Sequence, residues 1–206
     1  MIKKIRRNIF AISLLGGLLI SVLFGQFAAF AETSAEVRQD TLRLHILAAG
    51  DSAEDQRLKL LVRDALLREE GAVLSAAQNK EEALRLANAA LPQFEATARR
   101  TLREAGCSAE VKAEIKNIYF ETRRYDGVTL PAGRYDAVEI TIGAGEGHNW
   151  WCVLFPTLCL PASSEEKALK AYNARERQLV AEDGYEVRFA LLELAESALE
   201  SMRGNG

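Results

Sequence analysis

Both tryptophans, two of the three cysteines and one of the two histidines of this 206-residue chain fall between positions 145 and 160. That block reads Gly-Glu-Gly-His-Asn-Trp-Trp-Cys-Val-Leu-Phe-Pro-Thr-Leu-Cys-Leu. Its apolar run from Trp150 to Phe155 predicts a strand buried on both faces. Gly145 and Gly147 before the run, and Pro156 and Pro161 after it, predict turns. The fold must therefore accommodate a stiff strand with a Gly-Glu-Gly-His-Asn loop at one end and a cysteine-bounded turn at the other. Loops held by rigid elements are frequent binding sites, which makes Glu146, His148 and Asn149 a candidate rim. On the other reading these three residues cap the strand end, and Trp150, Trp151, Cys152, Phe155 and Pro156 are simply core.

The start of the chain carries a compartment label. Lys3, Lys4, Arg6 and Arg7 precede an apolar stretch from Ile9 to about Phe24, and Ala29-Phe30-Ala31 follows. A basic region, an apolar region and a small-x-small ending describe a secretory signal, with cleavage expected between Ala31 and Glu32. Residues 9–31 are also just long enough to span a bilayer as an uncleaved anchor. Ser13, Gly16, Gly17, Ser21 and Gln26 dilute that stretch and favour cleavage. In both cases the positive-inside rule places the rest of the chain outside the membrane.

Residues 1–31 are thus read as a signal peptide and residues 32–206 as one secreted domain. The whole chain has a formal net charge of −3. Without the four n-region cations it is about −7, since no acid precedes Glu32. An acidic body argues against nucleic acid and against an anionic membrane surface as partners. The expected membrane contact is through the N-terminal signal alone.

Along the body, Leu42, Leu44 and Ile46 alternate with Arg43 and His45, a strand pattern over residues 41–48. Ser52 with Asp55 is a capping-box signature. It opens a helix with Leu58, Leu61, Val62, Ala65 and Leu66 on one side. Asn79 predicts the cap of a second helix, which Pro92 is expected to break or kink. Val111, Ala113 and Ile115 alternate with charged residues in a half-exposed strand. Asp126-Gly127 and Leu130-Pro131-Ala132-Gly133 predict turns. Val138, Ile140 and Ile142 predict the next strand. Residues 162–183 are charged and poor in large apolar side chains, and are read as an exposed, partly helical linker. A last amphipathic helix carries Val187, Leu191, Leu194, Ala198 and Leu199, with a short entry strand over residues 186–189. Segregated runs of this kind predict an α+β fold. Its expected form is a mixed or antiparallel sheet of about four to five strands, packed against two to three helices, plus the C-terminal helix.

The chemistry on offer is sparse. A turn at Pro156 allows a disulfide between Cys152 and Cys159, and the alternative is two buried thiols. Neither pairing requires Cys107. His148, Cys152 and Cys159 match no common zinc spacing. A thiol at Cys152, inside an apolar run, should be protonated and inert. Asp51-Ser52-Ala53 resembles the turn of aspartic proteases only superficially, and helix capping explains it better. No phosphate loop, dinucleotide fingerprint or nucleophile elbow is present. No cofactor, metal or catalytic set is expected. The rival classes are a secreted hydrolase using His148 with Cys152 or Glu146, and a cell-wall-binding module using the two tryptophans.

Three blocks together resemble the stage II sporulation protein R family. The first is Leu42-Arg43-Leu44-His45-Ile46-Leu47-Ala48 with Asp51-Ser52, Asp55-Gln56 and Leu60-Leu61-Val62-Arg63-Asp64-Ala65. The second is Leu130-Pro131-Ala132-Gly133-Arg134-Tyr135-Asp136-Ala137. The third runs from Ile142-Gly143 through His148-Asn149-Trp150-Trp151-Cys152-Val153-Leu154-Phe155-Pro156 to Cys159. Thr157 departs from the family pattern, where a second proline is usual. The resemblance implies a protein of endospore-forming bacteria, secreted across the forespore membrane into the space between forespore and mother cell. It also implies a non-enzymatic signal that activates a membrane-embedded aspartic protease, which in turn matures pro-sigma-E.

Overall fold

The computed structural model describes residues 2–69, 71, 76–125, 127–156, 169–181 and 187–204. Along the chain these form α1 (Ile2–Gln39), β1 (Leu42–Leu47), α2 (Ala53–Glu69), α3 (Lys80–Glu104), β2 (Val111–Phe120), β3 (Arg123–Tyr125), β4 (Val128–Leu130), β5 (Gly133–Ile142), β6 (Asn149–Phe155), α4 (Ala174–Val180) and α5 (Val187–Gly204). Four strands make one mixed sheet in the order β2-β5-β1-β6, and β3 and β4 form a separate hairpin. β1 runs parallel to β5 and antiparallel to β6, while β2 and β5 are antiparallel. The α+β class, the mixed sheet and the C-terminal helix are those expected from the sequence.

Period-two side-chain alternation sorts the sheet into two faces. Leu42, Leu44 and Ile46 of β1 join Val138, Ile140 and Ile142 of β5, with Cys152 and Leu154 of β6, in one apolar cluster. Two helices cover that face. α2 contributes Leu58, Val62 and Leu66, and α3 contributes Ala83, Ala87, Ala90, Phe94, Ala98 and Leu102. Each buried Leu or Ile here contributes roughly 1.5–3 kcal/mol of burial.

The α3 stripe explains a departure from expectation. Pro92 lies inside one continuous helix and neither breaks it nor starts a new one. Proline in a helix interior costs about 3 kcal/mol or more through a lost hydrogen bond and a ring clash. The apolar stripe continues on both sides of Pro92, and its packing against the sheet outweighs that local cost.

On the opposite face lie Arg43 and His45 of β1, Tyr135, Ala137 and Glu139 of β5, and Trp151 and Val153 of β6. This face is covered too, so β1 is buried along both sides. Phe120, Tyr135 and Ala137 form one small cluster, with Ile118 and Trp151 against it. A second holds Phe30 and Val37 of α1, Val128 and Leu130 of β4, Val153, Tyr172, Leu179 and Val180 around α4, and Phe189 and Leu192 of α5.

Packing into that second cluster shapes the chain around three expected boundaries. α1 runs unbroken past Ala31 and Glu32, because Phe30, Ser34 and Val37 bury their side chains in the body. Phe30 meets Phe189 edge-on at 5.0 Å, and Arg38 donates to the Ala132 carbonyl at 2.9 Å. The stretch read as an exposed linker contains α4, which has a capping box at Asn173 and Glu176 and buries Tyr172, Leu179 and Val180. Val187 to Phe189 are helical, so no strand precedes α5 there. Positions 157–168, with Cys159 and Thr157, lie outside the described residues, as does Glu186.

The outer part of α1 behaves differently. Phe10, Leu14, Leu18, Leu19 and Phe24 are exposed, and this is the one helix among the described residues long and apolar enough to cross a membrane. A signal sequence has the same appearance.

Candidate functional site

The loop between β5 and β6 is held against the turn between β1 and α2. These two connections lie beyond the C-terminal ends of the parallel strands β1 and β5, a usual place for sites in such sheets. The turn itself is built by a capping box: Asp55 N donates to Ser52 Oγ at 3.1 Å, and Ser52 N donates to Asp55 Oδ2 at 3.3 Å. This is the N-terminal signal read from the sequence, and it leaves the side chain of Asp51 free of the cap.

Asp51 instead reaches across 97 positions to His148. Its Oδ1 accepts from the His148 backbone at 2.6 Å and lies 2.5 Å from the imidazole Nδ1. These two hydrogen bonds hold the Asp51 carboxyl below its ordinary range. Gly147 N donates to the Ala48 carbonyl at 3.0 Å. Lys59 of α2, buried under the loop, donates to the His148 carbonyl at 2.7 Å and to Gln56 Oε1 at 2.5 Å. Burial pushes the Lys59 ammonium below its usual range, only partly opposed by the nearby Asp51.

The glycines of the loop follow from its closeness to the turn. A Cβ at position 147 would stand 2.1 Å from the Gly50 carbonyl oxygen. At position 145 the backbone has φ +68°, and a Cβ would meet Thr141 at 2.7 Å. Only glycine permits both approaches without displacement.

Of the candidate rim, Glu146, His148 and Asn149 are all exposed. The structure joins His148 to Asp51 and Lys59, and brings neither Glu146 nor Cys152 into a hydrogen bond with it. The rim borders a groove of about 710 Å³, whose opposite wall is Glu121 and β3. Trp150 and Trp151 are half-buried rather than enclosed on both faces, since β6 is an edge strand. They face opposite sides of it. Trp150 packs against the apolar cluster with the Arg63 guanidinium 5.1 Å from its ring. Trp151 packs against Phe120 and His45, with Arg123 at 4.5 Å. A sugar platform needs two rings presented side by side, and this arrangement does not present them so.

Cys152 is fully buried and disulfide-bonded, and Cys107 is a free thiol. A bonded, buried sulfur cannot act as a nucleophile. An Asp-oriented imidazole beside an open groove has the geometry of a general base. Yet among the described residues the only side-chain partner of the His148 ring is Asp51, with no hydroxyl or thiol in reach.

Asp51 and Lys59 were not foreseen from the sequence. Asp51 was absorbed by the capping turn, and Lys59 sits on a helix face that periodicity marks only as a mixture. Their shared signal is proximity to the first block, Asp51-Ser52 with Asp55-Gln56.

A model of the family described as stage II sporulation protein R matches residues 38–165. The chain belongs to that family. Stage II sporulation protein R of Bacillus subtilis (strain 168) is 37% identical to it over 169 residues, which cover 82% of this chain and 75% of that protein. No solved structure matches the chain. The family description places the chain among sporulation proteins, and its apolar N-terminal helix fits a signal sequence. The residues that build the site, from Asp51 and Lys59 to His148 and the Trp-Trp-Cys strand, all lie inside the matched span.

Proposed function

We propose that this protein is a secreted signal of endospore formation, acting in the space between forespore and mother cell. Its receptor is a membrane-embedded aspartic protease that matures pro-sigma-E, and its contact surface is the rim of Glu146, His148 and Asn149. The observation that carries this reading is the way the exposed rim is locked. Asp51, Lys59 and the Ala48 carbonyl together fix the loop that presents it. A binding signal gains affinity from such pre-organisation, because little loop entropy is lost on docking. Membership of the sporulation family and the apolar N-terminal helix support the same reading. The disulfide-bonded state of Cys152 speaks against a thiol hydrolase.

A signal of this kind shifts its receptor toward the active state by no more than its preference for that state. Weakening the rim should therefore reduce activation without changing the amount of folded protein. Co-expression with the protease and pro-sigma-E in a non-sporulating host, reading cleavage against protein level, tests this. Glu146→Ala and His148→Ala should lower cleavage at normal abundance. Cys152→Ser removes a disulfide worth roughly 2–4 kcal/mol and should lower abundance and cleavage together. Normal abundance with complete loss of cleavage for Cys152→Ser would overturn the signalling reading in favour of catalysis.

A further inference from the structure

Arg43, the second residue of β1, is fully buried. Its guanidinium carbon lies 4.0 Å from the ring centre of Phe120, 5.0 Å from Tyr135 and 5.6 Å from Tyr125. Nη2 donates to the Tyr125 hydroxyl, while Nε and Nη1 have no hydrogen-bond partner. Among the described residues no carboxylate forms an ion pair with it. A buried guanidinium with two unmet donor groups is costly, and aromatic faces compensate only part of that cost. Nearby, Trp151 Nε1 is a third buried donor without a partner, on a ring 5.1 Å from Phe120. The unmet groups of Arg43 and Trp151 are all donors. What would satisfy them is an acceptor-rich anion.

Tyr125 links this cluster to the surface. Among the described residues its hydroxyl is the one acceptor Arg43 has, and the residue also lines the groove beside the rim, as Trp151 does. Tyr125 stands on β3, whose strand partner among the described residues is β4. The exposed Arg123 and Arg124 precede it and line the groove too, with Arg123 3.7 Å from Glu121. Asp51, Glu146 and Glu121 also border the groove, and Asp51 is engaged by His148.

We infer that the groove takes an extended acidic peptide segment of the receptor, one of whose carboxylates displaces the Tyr125 hydroxyl and pairs with Arg43. The planar guanidinium fork suits a carboxylate, which can accept two parallel bonds from Nε and a terminal nitrogen. A groove of about 710 Å³ is far larger than a free anion needs, which favours a peptide as the source. The inference rests on the groove being the receptor contact proposed above.

The test is a tryptophan-fluorescence titration of the full chain in detergent at fixed ionic strength. The probes are a hexaglutamate peptide, a hexaglutamine peptide and inorganic phosphate. Hexaglutamate should give a saturable change with an affinity at least about tenfold above that of hexaglutamine, the scale of one charge-assisted pair. Phosphate should give none. Tyr125→Phe keeps the ring but removes the competing acceptor, so it should tighten hexaglutamate binding, whereas a purely structural tyrosine would leave it unchanged. Arg43→Met should lose the binding, and if that variant does not fold, Tyr125→Phe still decides. Equal binding of the two peptides, binding of phosphate alone, or no tightening in Tyr125→Phe would each overturn the inference. The cleavage assay separates it from the parent reading: activation that persists without acidic-peptide binding sinks this inference only.

Discussion

The two faces of the central sheet are both buried, yet they are built from opposite materials. The face under α2 and α3 is filled by Leu42, Leu44, Ile46 and their apolar neighbours. The other face buries Arg43, His45 and Glu139 among Phe120, Tyr135 and Trp151. His45 Nδ1 lies 3.0 Å from Glu139 Oε2, and Lys116 Nζ donates to Glu139 Oε1 at 2.6 Å. A carboxylate partner fixes the proton of a neutral His45 on Nδ1 and leaves Nε2 an unpaired acceptor. The apolar face stabilises the fold through burial alone. The polar face carries desolvated charge whose pairing is incomplete, and such arrangements contribute little net stability. The difference separates what holds this protein together from what it can use to recognise a partner.

The largest effects should come from removing the covers. Phe120→Ala would strip the ring lying over Arg43 and open a cavity beside Trp151, costing about 3–5 kcal/mol in urea unfolding. Ile46→Ala, on the other side of the same strand, should cost about 2–5 kcal/mol for the cavity alone. If Ile46→Ala proved neutral, the apolar face would not be the structural one.

Arg43→Met sharpens the contrast. Replacing a buried, incompletely paired charge by an apolar side chain of similar length should be neutral or stabilise by about 1 kcal/mol. A loss comparable to that of Ile46→Ala would show Arg43 to be a structural residue. Gly147→Ala tests the surface end of the polar face. The added methyl must displace the Gly50 carbonyl or the loop, so it should cost roughly 1–3 kcal/mol and reduce activation beyond that loss.

The most gradual effect is a pH dependence. Burial lowers the pKa of His45 below its ordinary 6.5, although Glu139 opposes the shift. Above pH 6.5 the residue is neutral in both folded and unfolded chains, and its contribution is fully present. As pH falls below 6.5 the unfolded chain takes up the proton first, so stability drops until the folded His45 titrates as well. The slope can reach about 1.4 kcal/mol per pH unit over that window. His45→Gln should flatten it in denaturation curves measured from pH 7 to pH 5. An unchanged slope would mean that another group dominates.

Much of the architecture is legible in the residues themselves. The period-two runs at Leu42-Leu44-Ile46 and Val138-Ile140-Ile142 mark the strands, and Ser52-Asp55 and Asn79 mark helix starts, because these signals depend on near neighbours. Pro92 misleads for the same reason: its cost is local, while the packing that overrides it involves the sheet. The alternation at Arg43 and His45 shows which face they take but not whether water reaches it. That depends on Phe120 and the β3–β4 hairpin, each far away in the chain.

For the candidate site, the sequence by itself determined the unusual block, the tight glycine loop and the family to which the chain belongs. Only the tertiary structure decided that His148 meets Asp51 across 97 positions, that Lys59 holds the loop from below, and that Trp150 and Trp151 serve opposite faces. It also decided that α1 continues past the expected cleavage point into the body. The physical reason is range. Capping, turn geometry and periodicity act over a few residues and leave a local imprint, whereas burial of a charge or the meeting of two loops is set by strand order, which no single segment encodes.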